Sequence, residues 1–481
     1  MFKQLLKDSA IYGFSDFILK LAAFFTFPIF AHLLTLNDFG VMTLATVIAG
    51  FVGMFISLGL NNAIQRFYFD SSFPKSKRPV LVSTGYIVLA VWSILLTLLC
   101  IFIAYLFRDY TLHKYQLPFS YLALALLTNI PVLLLTYSND TIRLHFKPVN
   151  FLILSFCRNM TGVILAIFLM KYYNMGLYGY FIANLIGVAV FIPLGIYFTR
   201  NDCKLLFDFK VARKIIQFGY PFVFAGLAYW LFSSMDRWML GQWSTMEQVG
   251  LYSIAFKIGS IVLFVNSAFA QAWSPVAIKI MNQYPDTYKT LFSKLFTFWF
   301  AFLLLIGTIA ATFSSEFLRL FTPQSYWAAS NISVWVTIGM IINGTTQLTA
   351  LGISISKRTK FLTSISWITA IINFLLNYFL IPRLGALGSA IATTFTYLIL
   401  SGGYLFISQK VHTLPLQKNK LVILFSILIL TTAVSLYLNS ISWNMSMLFI
   451  KCFWVAIIIF LFFLFKIIDP TSIKEMIFKK E

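Results

Sequence analysis

Charge is what this chain has least of. Of its 481 residues, 11% are Asp, Glu, Lys or Arg, against roughly 25% in a soluble globular protein. So few charges cannot cover a water-facing surface. With 60% hydrophobic residues and a mean hydropathy of +0.85, the chain reads as a polytopic membrane protein, not a soluble domain on one anchor. Other absences narrow the chemistry. There is no Walker-type phosphate loop, no metal-ligand cluster and no nucleophile–base set. No ATP site, metal site or catalytic residue is therefore expected, and any transport would run on an ion gradient, the membrane potential or the substrate gradient. Cys100, Cys157, Cys203 and Cys452 are scattered and read as small apolar residues. The opening "MFKQLLKDSA" lacks the apolar core and small-residue cleavage site of a removable signal peptide.

What the chain has in abundance is long apolar runs. A bilayer core about 30 Å thick needs about 20 helical residues per span, and about 14 such runs occur. Their limits are 10–34, 40–61, 80–107, 117–138, 150–170, 176–198, 216–240, 249–272, 290–313, 330–352, 361–381, 386–408, 421–439 and 442–466. The formal charge of +21 would point to nucleic acid in a soluble protein, but here it follows the positive-inside bias. Alternate connections carry 26 lysines and arginines, among them Arg66, Arg78, Arg143 and Arg200. The intervening ones carry five: Arg108, Lys114, Lys171, Arg319 and Arg383. That alternation implies an even span count with both termini cytoplasmic. The connections are short, so any function sits within the helices or at their ends.

An internal repeat organises the spans. "LNDFGVMTLA" at 36–45 resembles "MEQVGLYSIA" at 246–255, with Gly40 and Gly250 210 residues apart. "FKPVNF" at 146–151 aligns with "SKRTKF" at 356–361 at the same offset. "NMGLYGYFIAN" at 174–184 aligns with "RLGALGSAIAT" at 383–393 at 209. Three pairs in one order define a repeat of six spans. An even-numbered unit keeps its orientation, so the halves are parallel repeats about an axis along the membrane normal. The expected architecture is all-α: a six-helix lobe at 1–200, a second at 211–409, and two additional helices with a basic tail at 410–481.

Ionisable residues inside spans are functional candidates. Asp16 and Lys20 share a helix face, with Lys20 near the midplane. Lys257 lies deep in the eighth span. Deep lysines in both lobes suggest two walls of one cationic cavity. Asp236 and Arg237 lie near the outer end of the seventh span, where snorkelling is easy. Arg66, Arg143 and Arg158 are placed at the cytoplasmic ends of spans two, four and five, as a basic mouth or as ordinary positive-inside residues. Lys451 is deep in the appended pair. Pro28 is expected to kink the first helix. Ala49, Gly53 and Ser57 form a small-residue ridge for helix packing, and Asn373 and Asn377 read as interhelical hydrogen-bonding groups.

Three stretches carry a resemblance. "LLTLNDFGVMTLA" followed by "LGLNNAIQRFYF", then "VGLYSIAFKI" with "FAQAWSPVAI", and "NFLLNYFLIPRLGALGSAIATTFTY" resemble polysaccharide-biosynthesis transporters. The chain is similar to the lipid-linked oligosaccharide (O-antigen) flippase branch of the superfamily that also holds the multidrug and toxin extrusion transporters. The resemblance covers about 1–409. It implies movement of an undecaprenyl-diphosphate-linked oligosaccharide between leaflets of the bacterial inner membrane, with cations binding the diphosphate in a central cavity. Lys20, Lys257, Arg66, Arg143 and Arg237 are the candidates for that role, and Asp16 and Asp236 for pairing or for H+ or Na+ coupling. No cofactor and no nucleic acid are expected. Membrane lipids, a glycan polymerase and chain-length proteins of the same pathway are candidate partners. A cation-coupled multidrug antiporter is the alternative, although such antiporters have about 12 spans and need acidic cavities. A membrane glycan polymerase is remote, because no large outer loop is present.

Overall fold

A computed structural model describes residues 18–467 apart from 20, 23, 71, 72, 357, 359, 442 and 443. The regular elements among them are helical, and no strand occurs among them. Contacts divide the chain into two units, Met1–Gly250 and Leu251–Glu481.

The first unit contains α1 (Phe24–Leu33), α2 (Leu36–Ser57), α3 (Leu60–Tyr68), α4 (Arg78–Leu106), α5 (Arg108–Tyr115), α6 (Phe119–Leu144), α7 (Pro148–Tyr172), α8 (Gly176–Ala189), α9 (Ile192–Thr199) and α10 (Phe209–Trp243). Helix α6 is its hub and packs on α2, α4, α7, α8 and α9. Lipid tails are as apolar as leucine, so burial alone does not drive helices together in a membrane, and small residues let backbones approach instead. The predicted ridge on α2 works this way. A Cβ on Gly53 would lie 3.3 Å from the Asn129 amide of α6, and Asn129 Nδ2 donates to the Ala49 carbonyl at 2.8 Å. Gly187 on α8 lies against Gly162 on α7. The outward faces carry Leu95, Leu98 and Phe102 of α4 and Ile164 of α7, exposed as lipid-facing residues should be.

In the second unit lie most of α11 (Met246–Gln283), then α12 (Tyr288–Thr312), α13 (Ser314–Phe321), α14 (Ala329–Gly344), α15 (Thr346–Thr349), α16 (Leu351–Ile355), α17 (Lys360–Val411), α18 (Lys418–Ser440) and α19 (Met445–Leu464). Here α14 is central, packed on α12, α13, α17 and α18.

Eleven helical segments among the described residues are long and apolar enough to cross a membrane, and twelve if α10, bent by 48° between Leu227 and Trp230, is one span. The first ten or so residues of the first predicted span, with Asp16 and Lys20 among them, fall largely outside the described residues. Its visible end, α1, runs through Pro28, whose carbonyl accepts from the His32 ring at 2.8 Å. Helix α17 enters the count once, yet it is two helices. Gly385 at its centre has φ +55°. Ser366 bonds to Tyr404, Asn373 to Thr396, and a Cβ on Gly388 would meet the Leu380 carbonyl at 2.5 Å. Those pairs close symmetrically on Gly385, so the chain doubles back there as a helical hairpin. Gly176, the repeat partner of Gly385, has φ +52° and sits at the turn of the α7–α8 hairpin. The two equivalent glycines do the same local work, at a backbone conformation that glycine adopts without strain.

Candidate functional site

Of the predicted deep charges, Asp16 and Lys20 lie outside the described residues. Lys257 stands eleven residues into α11, about 16 Å along the helix at 1.5 Å per residue. It is half-buried within the second unit. Asp236 and Arg237 do not snorkel as expected. Both are buried, with Arg237 Nη1 3.7 Å from Asp236 Oδ1 and donating to the Ser233 carbonyl. Packing of α10 against its neighbours covers them and overrides their nearness to the helix end.

Arg66 and Arg143 sit at helix ends as expected. The Arg66 side chain is 60% exposed and 3.4 Å from Asp70. Arg143 is 3.7 Å from Asp140 and lies over the Phe151 ring. A pair whose arginine is as exposed as Arg66 contributes up to about 1 kcal/mol, whereas the Asp140 carboxylate facing Arg143 is buried. Arg158 does not join them. It lies ten residues into α7, about 15 Å from the helix start, on the same face as the buried Ser155 and Gly162.

Two polar clusters bring together partners that the sequence reading did not pair, although it placed Lys451 deep in the appended helices. At the arginine-rich end of the first unit, Asp202 Oδ2 is 2.7 Å from His145 Nε2 and accepts from the Tyr68 hydroxyl at 2.7 Å. Arg78 donates to the Tyr68 carbonyl and stacks on its ring. Ser83 Oγ accepts from Lys204 N and donates to the Asp202 carbonyl. The connection after α9 is thereby tied to α3, α4 and the end of α6. Burial opposes ionisation of Asp202, but the bonds from His145 and Tyr68 and the nearby Arg78 charge outweigh it and hold the carboxyl below its ordinary range. In the second unit, Lys451 is 1% exposed. Its ammonium donates at 2.7 Å each to Glu316 Oε2, Ser315 Oγ and Asn439 Oδ1. All its donors are satisfied, so the appended helices α18 and α19 are fastened to α13.

The other end of the first unit holds a symmetric contact. Helix α2 begins at a capping box, with Thr35 Oγ1 accepting from Asp38 N and Asp38 Oδ2 accepting from Thr35 N. Its repeat counterpart, α11, begins with Thr245 Oγ1 accepting from Gln248 N at 3.3 Å. The two helix starts meet. A Cβ on Gly40 would lie 1.8 Å from the Met246 carbonyl oxygen, and one on Gly250 2.4 Å from that of Leu36. Beside them, Asn37, Lys114, Gln116, Ser244, Thr245 and Glu247 line a polar cavity of about 390 Å³. From this contact α2 and α10 pack antiparallel toward the arginine-rich end. Trp230 donates to the Val47 carbonyl, and Gly59 and Gly219 face each other's backbone. Connections assigned to one side of the membrane by the lysine and arginine alternation thus gather at one end of the unit. Those assigned to the other side gather at the opposite end.

No group of three or more His, Cys, Asp or Glu side chains suited to a metal ion occurs among the described residues. The uncharged polar groups serve packing: Asn373 donates to Thr396 Oγ1, and Asn377 to Asn373.

A family model described as "Polysaccharide biosynthesis protein" matches residues 5–281. Among solved structures, the chain is similar to the lipid II flippase MurJ in an inward closed conformation. The TM-score is 0.65 at 18% identity, covering 93% of this chain and 98% of that one. It is also similar to a mutant of the Vibrio cholerae MATE transporter VcmN, with TM-score 0.51, 16% identity, and 85% and 96% of the two chains covered. A MOP superfamily transporter from Pyrococcus furiosus matches with TM-score 0.53 at 14% identity, covering 84% and 95%. At these identities the likeness is one of fold. No curated protein matches the chain in sequence.

Proposed function

This chain belongs to the polysaccharide biosynthesis protein family, and on that premise we propose that it is a flippase. In this reading it carries an undecaprenyl-diphosphate-linked oligosaccharide, an O-antigen or similar surface-polysaccharide repeat unit. The route runs from the cytoplasmic to the periplasmic leaflet by alternating access through a cationic central cavity. The family and the multi-pass transporter fold support the class. The observation that carries the reading is Lys257, a cation retained about 16 Å along a membrane helix, where a charge is costly unless it serves function. Lys20 is its proposed partner from the first lobe, and Arg66 and Arg143 form the basic mouth that draws in the headgroup. Arg237 is the third inner cation. A coupling ion, H+ or Na+, is assigned to Asp16 or Asp236. The protein sits in the bacterial inner membrane with both termini cytoplasmic, beside the polymerase and chain-length proteins that consume its product.

The test is export of surface glycan in a strain lacking the native gene, with Lys20→Ala and Lys257→Ala at matched membrane abundance. The double variant is expected to lose export, and full export by it ends the cationic-cavity reading. The antiporter reading draws on fold likeness and on the buried Asp236. Uptake of a fluorescent cationic dye into liposomes, driven by a proton or sodium gradient, would favour it instead.

A further inference from the structure

The first unit contains a cation that this transport route does not use. Arg158 lies midway along the 25-residue helix α7, and its Nη1 is buried without a hydrogen-bond partner. No salt bridge to it occurs among the described residues. Asp140, the buried carboxylate of α6, lies 3.7 Å from Arg143. The residues one turn to either side on the same face show what Arg158 looks into. Ser155 accepts from Asn139 Nδ2 of α6 at 3.2 Å. Gly162 lies against Gly187 of α8, and the space a Cβ on Gly162 would occupy is clear except for Asn184 Oδ1 at 4.0 Å. Asn139 Oδ1 is also buried without a partner. Arg158 thus shares its helix face with residues that meet α6 and α8, and its Nη1 is covered by protein.

The backbone is irregular at the same depth. Gly179 packs on Leu169 and Gly187 on Gly162, a register that brings Val190 and Phe191 level with Arg158. There α8 ends, and α9 resumes at Ile192 with Pro193 in its first turn. Pro193 cannot donate to the Ala189 carbonyl. Broken helix at membrane depth is tolerated where it is enclosed by protein or lines a wet cavity.

We propose that Arg158 is the centre of an anion site inside the first unit, taking a phosphate-type oxyanion. An ionised guanidinium inside a bilayer is kept where it is paired or serves a ligand. Its planar fork matches phosphate oxygens in two parallel hydrogen bonds. The anion is either free inorganic phosphate or diphosphate, or the diphosphate of a lipid carrier. The lipid-carrier alternative rests on the transport reading and the free-anion alternative does not, and occupancy is measured without transport, so the two can fail separately.

The test is thermal unfolding of the full-length protein in nanodiscs, for wild type, Arg158→Gln and Arg158→Lys. One arm adds inorganic diphosphate against sodium gluconate at equal ionic strength, and the other places undecaprenyl diphosphate in the disc. A ligand at about a hundred times its dissociation constant is expected to raise the wild-type melting temperature by about 3–5 °C. Arg158→Lys should bind about tenfold more weakly, having lost the fork, and Arg158→Gln should show no shift. A shift in the first arm identifies a free anion, and one confined to the second identifies a lipid headgroup. Either supports the site. No wild-type shift in either arm overturns it, as does an undiminished shift in Arg158→Gln. If that variant does not fold, equal affinity of wild type and Arg158→Lys overturns it. Asp16→Asn supplies a further check: if the Asp16→Asn/Arg158→Gln double variant is more stable than both single variants, the chain provides the counter-charge and the proposal falls.

Discussion

Gly40 and Gly250 are equivalent positions of the repeat, and each presses on the first turn of the other's helix. Gly40 meets the Met246 carbonyl and Gly250 meets that of Leu36. Leu36 and Met246 are themselves 210 residues apart. The contact is reciprocal, residue for residue: each glycine meets the first residue of the other's helix. The matched Thr35 and Thr245 side chains each accept from a backbone N–H three residues on, so both helices start at the same register.

This contact has no room for a side chain. Gly40→Ala and Gly250→Ala are expected to destabilise the protein by about 1–3 kcal/mol through overpacking and to reduce any transport. Gly50, also on α2, has nothing within 4 Å of the added Cβ. Gly50→Ala should stay within about 0.5 kcal/mol of wild type. Melting curves of the three purified variants decide it: equal midpoints would mean that the helix starts part without cost.

The Lys451–Glu316 pair makes a different prediction. Removing one member of a buried, hydrogen-bonded pair strands the other and costs about 3–5 kcal/mol, whereas replacing both with apolar residues of similar volume is often near neutral. Lys451→Met alone should lower the melting temperature and the membrane abundance. Lys451→Met with Glu316→Met should recover most of both. A double variant as unstable as the single one would show that Ser315 and Asn439 depend on the ammonium more than Glu316 does.

The two clusters show where sequence legibility ends. The spans were readable because a helix in lipid must show about 20 apolar residues in a row. Gly176 and Gly385 stood out in the sequence because they sit at turns that favour glycine. The hairpin at Gly385 fell in the predicted gap between 381 and 386. Lys451 and Glu316 are 135 positions apart, and Tyr68 and Asp202 are 134 apart. Hydropathy and periodicity describe one helix at a time and carry no information on such pairs. Asp236 and Arg237 were misjudged for the same reason. Nearness to a helix end predicts snorkelling only when no neighbouring helix covers the site.

Asp202 gives a pH prediction. Its carboxyl is held below the ordinary value of 3.8 in the folded protein. A depressed carboxylate contributes stability that is fully present above its unfolded value and is lost as pH falls through the folded one. The wild-type melting temperature should therefore hold down to about pH 4 and fall below it. Asp202→Asn should be less stable near neutrality, because His145 and Tyr68 lose an ionised acceptor, and should show a shallower decline in acid. An acid limb of unchanged steepness in the variant would assign the loss to other carboxylates.

Lys257 separates a binding role from a structural one. If its charge meets an anionic group in transit, Lys257→Gln should reduce glycan export by at least about tenfold at equal abundance, while Lys257→Arg keeps a measurable fraction because the charge remains. The Arg66 side chain is 60% exposed and lies 3.4 Å from Asp70, so Arg66→Gln should change export by no more than about threefold, the scale of a weak exposed charge. A structural lysine would behave otherwise. Lys257→Gln would then lower abundance and melting temperature together, and export per folded molecule would be unchanged. Measuring export against the amount of folded protein therefore distinguishes the two roles, and an unchanged ratio would remove Lys257 from the transport route.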